Sequence, residues 1–364
     1  MLSEQIIPEE FRDLVEVQSA EEEGLLARPN VVGVALGNKY TDGKDTGKKA
    51  VIALVDAKLP KEMLGSGDRV PATVGKTTKV PTDVQEVGII QAGTSPLTAG
   101  PGLRLEDAGL VTREDSTGHL LKLDDAALAA RENIGPFTLA KRVRPAYGGV
   151  SVGHYKITAG TLGTCCYDAA PFPSIPQRYY ILSNNHVLAN ANAANIGDPI
   201  LQPGAFDGGT YPADVIARLS RFVPIRFILP NQPPPLNYVD AAVAEGNFAD
   251  LDRRIFWIGH LRRLFVAATI DMVVQKCGRT TNFTTGRVQN INATVDVNYG
   301  NGQVARFARQ ILTTSMSAGG DSGSLVSDLE EGAVGLLFAG SPQVTVVNPI
   351  LLVQQLLGIR VTEV

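Results

Sequence analysis

Three short segments, in the order His, Asp, Ser, carry residue types that together support acyl transfer: LSNNHV at 182–187, NYVDAAVAE at 237–245 and AGGDSGS at 318–324. A serine hydroxyl is a weak nucleophile near neutral pH. An imidazole has to take its proton, and a carboxylate has to hold that imidazole in one tautomer and stabilise its charge. His186, Asp240 and Ser322 supply these three groups. The glycines around Ser322 let the backbone turn sharply, so that the N–H groups of Gly320 and Ser322 can converge on the oxyanion of a tetrahedral intermediate. Taken singly, each segment has an ordinary structural reading. Gly-Asp-Ser-Gly makes polar turns, and a lone His after Tyr180, Ile181 and Leu182 is commonly a satisfied structural residue. Their conjunction in one order is what points to chemistry.

That order separates two classes. An α/β-hydrolase places its nucleophile first, within G-x-S-x-G, whereas the two-barrel proteases run His, Asp, Ser. Over residues 148–364 the chain resembles the chymotrypsin-like (trypsin-fold) serine proteases of bacterial type. GTLGTCCYD at 160–168 resembles the strand that opens the first barrel, and KCGRTTNFTTGRV at 276–288 the hairpin that opens the second. GAVGLLFAG at 332–340 is similar to the substrate-pairing strand after the nucleophile, and NPILLVQQLLGI at 348–359 to the closing helix. Ser324 departs from the pattern, standing where many members have a second glycine. Serine is small and also occurs there in related proteases.

The resemblance implies a mainly β protein with a two-barrel protease domain, His186 and Asp240 on the first barrel and Ser322 on the second. It implies a serine endopeptidase working through an acyl-enzyme, with a protein or peptide substrate paired along Leu337, Phe338 and Gly340. Met316, six positions before the nucleophile, falls at the floor of the primary specificity pocket, with Thr314, Ser315 and Ser317 among its walls. A thioether offers no counter-ion to a substrate cation, and burying an unpaired charge is costly. The expected preference is for small to medium apolar residues. In secreted relatives a freshly cut N-terminus pairs with the carboxylate before the nucleophile, here Asp321. More than 300 residues precede Asp321, so an internal basic partner is the expected arrangement, the alternative being processing near residues 143–150, for instance between Arg142 and Val143. A second functional reading stays open: a regulatory or binding protein that keeps the fold in an autoinhibited or inactive state.

The elements that must position these residues are legible in outline. At 364 residues the chain is too long for one protease domain. An apolar content of 44% beside 19% charged residues describes a globular protein with an adequate core, and 37 glycines and 22 prolines favour many turns and hence strands. Residues 1–28 read as an acidic helical segment that docks or frays, with Phe11, Leu14, Val15 and Val17 among glutamates. Residues 30–90 read as a small α+β domain. In it NVVGVALGNKY and KAVIALVDAKL form a hairpin joined by TDGKDTGK, and its role is docking on the protease domain or a partner protein, inhibition or assembly. Residues 91–147 read as a connecting segment with one helix over 122–132.

Other function classes find little support. A net charge of −4 gives no footprint for nucleic acid. The four histidines lack metal-ligand spacing, and no cofactor is implied. No apolar run reaches the length of a membrane span, and the N-terminus lacks a basic-then-apolar leader pattern, so a cytoplasmic location is expected. Three cysteines, two of them adjacent, do not make a disulfide framework and read as buried thiols.

Overall fold

A computed structural model describes residues 5–93 and 139–363. The helix expected over 122–132 lies outside the described residues. The first element is a helix, Arg12–Leu26, entered through a short 3₁₀ turn at Glu9–Phe11. It docks rather than frays. Phe11 and Leu25 are fully buried, and Gln18 is buried with its Nε2 donating to the carbonyls of Asn292 (2.9 Å) and Val34 (3.3 Å) while its Oε1 accepts from Asn292 Nδ2 (2.9 Å).

The strands β1 (Val31–Thr41) and β2 (Lys44–Val55) form the expected hairpin, but they run deeper into the linking sequence than its composition suggests. The cause is local: Asp42 and Gly43 both take positive φ (51° and 74°), the two-residue turn whose twist matches flanking strands, so TDGKDTGK is mostly strand. Three short pieces follow, β3 (Thr73–Val74), β4 (Val80–Glu86) and β5 (Gln91–Ala92).

The next strands run through the first barrel and its surroundings: β6 (Ala146–Gly148), β7 (Ser151–His154), β8 (Gly160–Thr161), β9 (Thr164–Asp168), β10 (Tyr179–Ser183), β11 (Pro199–Leu201), β12 (Val215–Phe222), β13 (Leu236–Asn237), β14 (Ala242–Gly246) and β15 (Leu251–Ile255). Of these, β9, β10, β14, β12, β11, β7 and β8 lie in that order in one sheet, while β6 pairs with β15 and β13 adds to the second barrel. That barrel uses β16 (Val273–Gly278), β17 (Asn282–Gly300), β18 (Gln303–Thr314), β19 (Leu325–Asp328), β20 (Ala333–Gly340) and β21 (Val344–Pro349). Its order β18-β21-β20-β19-β16-β17 closes on itself because β17 also pairs with β18. The helix Ile350–Leu357 and β22 (Ile359–Arg360) return the C-terminus to the first barrel, where β22 pairs with β9. The molecule is thus a mainly β, trypsin-like double barrel preceded by a helix-and-strand N-terminal region.

That N-terminal region is continuous with the second barrel. The first half of β17 pairs with β16 and its second half with β1, from Gly33 opposite Val295 to Gly37 opposite Asn290, so β1, β2, β4 and β3 prolong the barrel's sheet. The apolar side chains follow the backbone. Ala35, Ile52, Leu54, Ile90 and Ala92 share one buried cluster with Val295, Phe307 and Phe338. Glycine is required at position 33, where a Cβ would lie 2.7 Å from the Thr294 carbonyl. No helix among the described residues is long and apolar enough to cross a membrane.

A shared sheet and a shared core predict shared unfolding. Phe11→Ala should cost about 3–5 kcal/mol, the usual loss for a buried aromatic. Urea unfolding followed by the fluorescence of Trp257, the sole tryptophan, should coincide with loss of far-UV ellipticity in one transition. Two separated transitions would show that the N-terminal strands fold on their own.

Candidate active site

His186 lies on the short helix Asn185–Leu188 directly after β10, and Asp240 directly precedes β14. β10 and β14 are antiparallel neighbours with Ser183 opposite Ala242, which delivers the two side chains to the same end of the first barrel. His186 Nδ1 and Asp240 Oδ2 are 2.6 Å apart, and both residues are buried. The His186 main-chain N–H donates to Oδ1 at 3.2 Å. A further donor comes from the second barrel: Tyr299 on β17 gives its hydroxyl to Oδ2 at 2.7 Å. Burial, reinforced by the Asp240 charge, pushes the Tyr299 phenol well above its ordinary range, so it stays protonated and donates. The Tyr299 ring also meets the His186 ring edge-on, at 6.0 Å between centroids.

The Asp240 backbone is held across the barrels as well. Its N–H donates to Asn348 Oδ1 (3.0 Å) and its carbonyl accepts from Asn184 Nδ2 (2.7 Å). Asn348 Nδ2 in turn donates to the Leu336 carbonyl (3.0 Å).

Ser322 sits in a loop of the second barrel that is clamped by the first. Thr161 donates its N–H to the Ser322 carbonyl (2.8 Å) and its hydroxyl to the Gly320 carbonyl (2.9 Å). Gly320 and Gly323 have φ of +100° and +96°. At Gly323 a side chain would also run into Ser183 Oγ and the Thr161 carbonyl, so glycine is required twice over. The Ser322 hydroxyl donates a long bond of 3.4 Å to the Phe338 carbonyl, and His186 Nε2 is buried with no hydrogen-bond partner. The imidazole is therefore oriented by Asp240, and the hydroxyl faces the edge of β20.

The residue before Ser322 is the most heavily bonded side chain of the site. Asp321 is fully buried, and its Oδ2 lies 3.1 Å from Lys276 Nζ, which is fully buried too. Oδ2 also accepts from Thr281 Oγ1 (2.6 Å) and the Ala318 N–H (3.0 Å), and Oδ1 from the N–H groups of Thr280 (3.0 Å) and Thr281 (3.1 Å). Lys276 gives further hydrogen bonds to Thr281 Oγ1 and, at 3.3 Å, to the Asn282 carbonyl. Burial alone would raise the carboxyl's pKa. The Lys276 ammonium and these donors outweigh it and hold Asp321 below its ordinary range. The expected internal basic partner is thus Lys276, within β16. Ser324 has its own place: its hydroxyl donates to the Asp321 carbonyl at 2.6 Å, in space left because residue 278 is glycine.

On the substrate side, Leu337 and Phe338 turn their side chains into the core, Phe338 stacking obliquely on Phe307 at 4.8 Å. What they leave toward the cleft is main chain. Met316 is buried against Gly286, where a Cβ would lie 2.7 Å from its sulfur, and its N–H donates to Thr345 Oγ1 (3.1 Å). Gly340 lies beside Ser317, whose hydroxyl is 2.7 Å from Thr345 Oγ1. Three residues of the site were not singled out from the sequence: Lys276, Tyr299 and Asn348. Lys276 carried a signal, a lysine between the apolar Val273-Val274 pair and Cys277 in a strand; Tyr299 and Asn348 carried none. The three cysteines are buried thiols, and burial pushes Cys165 up to about 12, which makes it unreactive.

The Lys276–Asp321 pair makes a sign-specific prediction. A carboxyl whose folded pKa is depressed stabilises the fold above its unfolded pKa of about 3.9, and that stability is lost as pH falls through the lower, folded value. In Lys276→Met the burial effect is left unopposed, so the folded pKa rises instead and the fold is weakened at neutral pH, by about 3–5 kcal/mol. That deficit should shrink as pH falls from 8 to 5, because protonation then removes the unpaired charge. Urea midpoints of both proteins across this range measure it; a pH-independent gap would mean that the ion pair is not what stabilises the loop.

Residues 163–336 match the family model described as a trypsin-like peptidase domain. No curated protein matches the chain. Among solved structures it is similar to Thermobifida fusca protease A, at 15% identity and a TM-score of 0.41, over 59% of this chain and 96% of that one. It is similar to a glutamic acid specific serine protease with a histidine triad in substrate binding, at 17% identity and a TM-score of 0.41, over 60% and 100%. It is similar also to Cellulomonas bogoriensis chymotrypsin, at 15% identity and a TM-score of 0.39, over 60% and 98%. Residues 163–336 thus match a trypsin-like peptidase domain, and the double barrel of this chain agrees with that match.

Proposed function

We propose that the chain is a serine endopeptidase that hydrolyses peptide bonds through an acyl-enzyme. His186 acts as general base and then general acid, Asp240 sets its tautomer and stabilises its charge, and Ser322 is the nucleophile. The N–H groups of Gly320 and Ser322 hold the oxyanion. The observation that carries the reading is the buried His186 Nδ1 to Asp240 Oδ2 contact of 2.6 Å, which leaves Nε2 as the one ring nitrogen without a partner, available to take a proton. Tyr299 belongs to the same reading as a positioning residue, fixing the carboxylate that fixes the imidazole. Met316 at the floor of the pocket offers no counter-ion, which supports cleavage after small or medium apolar residues rather than basic ones. We place the enzyme in the cytoplasm, a location that three buried thiols support.

A second reading is favoured by one observation, the Ser322 hydroxyl bonded to the Phe338 carbonyl instead of to His186. In it the fold is kept as a regulatory or binding protein. A fluorophosphonate probe separates the two. Labelling that disappears in Ser322→Ala supports the enzyme, and no labelling of the full chain supports the binder.

The triad reading makes graded predictions. Ser322→Ala and His186→Ala should abolish turnover, and Asp240→Asn should lower kcat by about 10⁴ with the fold intact, because the imidazole would then hold the wrong tautomer. Tyr299→Phe removes one hydrogen bond to a buried carboxylate and should lower kcat about 10-fold or more with KM little changed. Equal kcat in Tyr299→Phe and wild type would remove Tyr299 from the positioning set.

A further inference from the structure

The strand that should pair with a substrate is already paired, with a segment of the same chain. β5 runs antiparallel to β20, with Gln91 opposite Gly340 and Ala92 opposite Ala339. Its other edge lies parallel to the end of β17, where Gln91 stands opposite Asn298 and the Asn298 N–H donates to the Ile90 carbonyl at 3.0 Å. Upstream, Ser341 Oγ is hydrogen-bonded to the Val87 carbonyl, and Ile90 and Ala92 are buried. Continuing this register by one residue brings Gly93 level with Phe338, the residue whose carbonyl the Ser322 hydroxyl faces. At Gly93 a Cβ would lie 2.7 Å from Ser322 Oγ and 3.5 Å from the Gly320 amide nitrogen. A side chain at residue 93 would therefore run into the nucleophile and come up to one of the two oxyanion donors.

Strand addition to an exposed sheet edge is how an extended peptide is held for cleavage, and here direction and register both suit a bound substrate. We infer that Gln91-Ala92-Gly93 is the enzyme's own first substrate, cut within the same molecule on the carbonyl side of Gly93. The inference rests on the endopeptidase reading above. Ser322 Oγ adds to the Gly93 carbonyl carbon as His186 Nε2 takes the hydroxyl proton. The carbonyl re-forms with rupture of the bond to the next nitrogen, which receives that proton from His186 and leaves as the amino terminus of the downstream chain. Water, deprotonated by His186, then hydrolyses the Gly93 ester to a carboxylate and returns the proton to Ser322. Two residue choices match this use. Glycine is what fits against Ser322 Oγ, and a small residue at the cleaved position suits a pocket floored by Met316 without a charged group.

The test is the fate of the full-length chain, purified first as Ser322→Ala and then as wild type. Wild type should convert to two fragments, one ending at Gly93 and one whose sequence starts Thr-Ser-Pro-Leu, while Ser322→Ala stays whole. The rate should not change over a 100-fold dilution, because the bond is presented in the same molecule. Gly93→Val should slow this cut about 10-fold or more, since the added methyl groups have no room beside Ser322. Cleavage at a different bond, or a rate that rises with concentration, would overturn the inference. So would an intact wild-type chain that labels with fluorophosphonate and cleaves an added peptide, a result that leaves the endopeptidase reading standing. An intact chain that neither labels nor cleaves would overturn both.

Discussion

The buried contact between Lys276 and Asp321 decides the shape of the loop that carries Ser322. An ionised carboxylate with no exposure to water is tolerated only where its charge and lone pairs are matched, and here one ammonium, one hydroxyl and three main-chain N–H groups match them. Those donors come from two places, the Ala318 end of the loop itself and the β16–β17 turn at Thr280 and Thr281. Asp321 therefore ties the loop to the turn on both sides of its own side chain. Gly320 before it and Ser322 after it inherit their positions from that tie, including the positive φ that directs the Gly320 N–H. A lysine within the barrel supplies the counter-charge without any new chain terminus. The loop's shape is accordingly a property of the folded barrel.

The two barrels meet through side chains that bond backbone, and this explains why the site is rigid where chemistry needs it. Asn348 of the second barrel grips the Asp240 N–H, Tyr299 of the same barrel grips its carboxylate, and Thr161 of the first barrel grips the Ser322 loop. Each barrel thus helps to hold a candidate catalytic residue of the other. Arg279 adds a charged contact of the same kind, its guanidinium 2.5 Å from Asp207 with both largely buried. Charge-assisted bonds of this sort are shorter and stronger than neutral ones and resist sliding of one barrel over the other.

Legibility in the sequence followed whether a feature was local. The His186, Asp240 and Ser322 segments are short strings with strong local demands, such as the glycine that Gly323 must be, and so they could be read one segment at a time. The hairpin of β1 and β2 was visible in its apolar alternation, while its turn was placed too broadly because the Asp42-Gly43 pair, not the whole polar stretch, does the turning. Tyr299 and Asn348 gave no such signal, since each acts on Asp240 from more than 50 residues away and looks locally like an ordinary strand residue. The pairing of β1 with β17 was hidden for the same reason. A strand edge carries no mark of which distant strand will cover it.

That last pairing has a consequence for the cleft. β1 sits on the second half of β17, and β2 and β4 follow it, so the chain leaving β4 at Glu86 is delivered to the rim of the second barrel beside Ser341. Residues 87–93 are then guided along β20 by hydrogen bonds on both edges, to Asn298 on one side and to Ala339 and Gly340 on the other. A free peptide docking in the same place would lose its translational freedom on binding. The tethered strand has an effective concentration set by a short path. On the proposed reading, an incoming substrate has to displace a competitor already in place. The N-terminal helix and sheet, which bear no catalytic group, set how hard that competition is, because they fix where β5 begins.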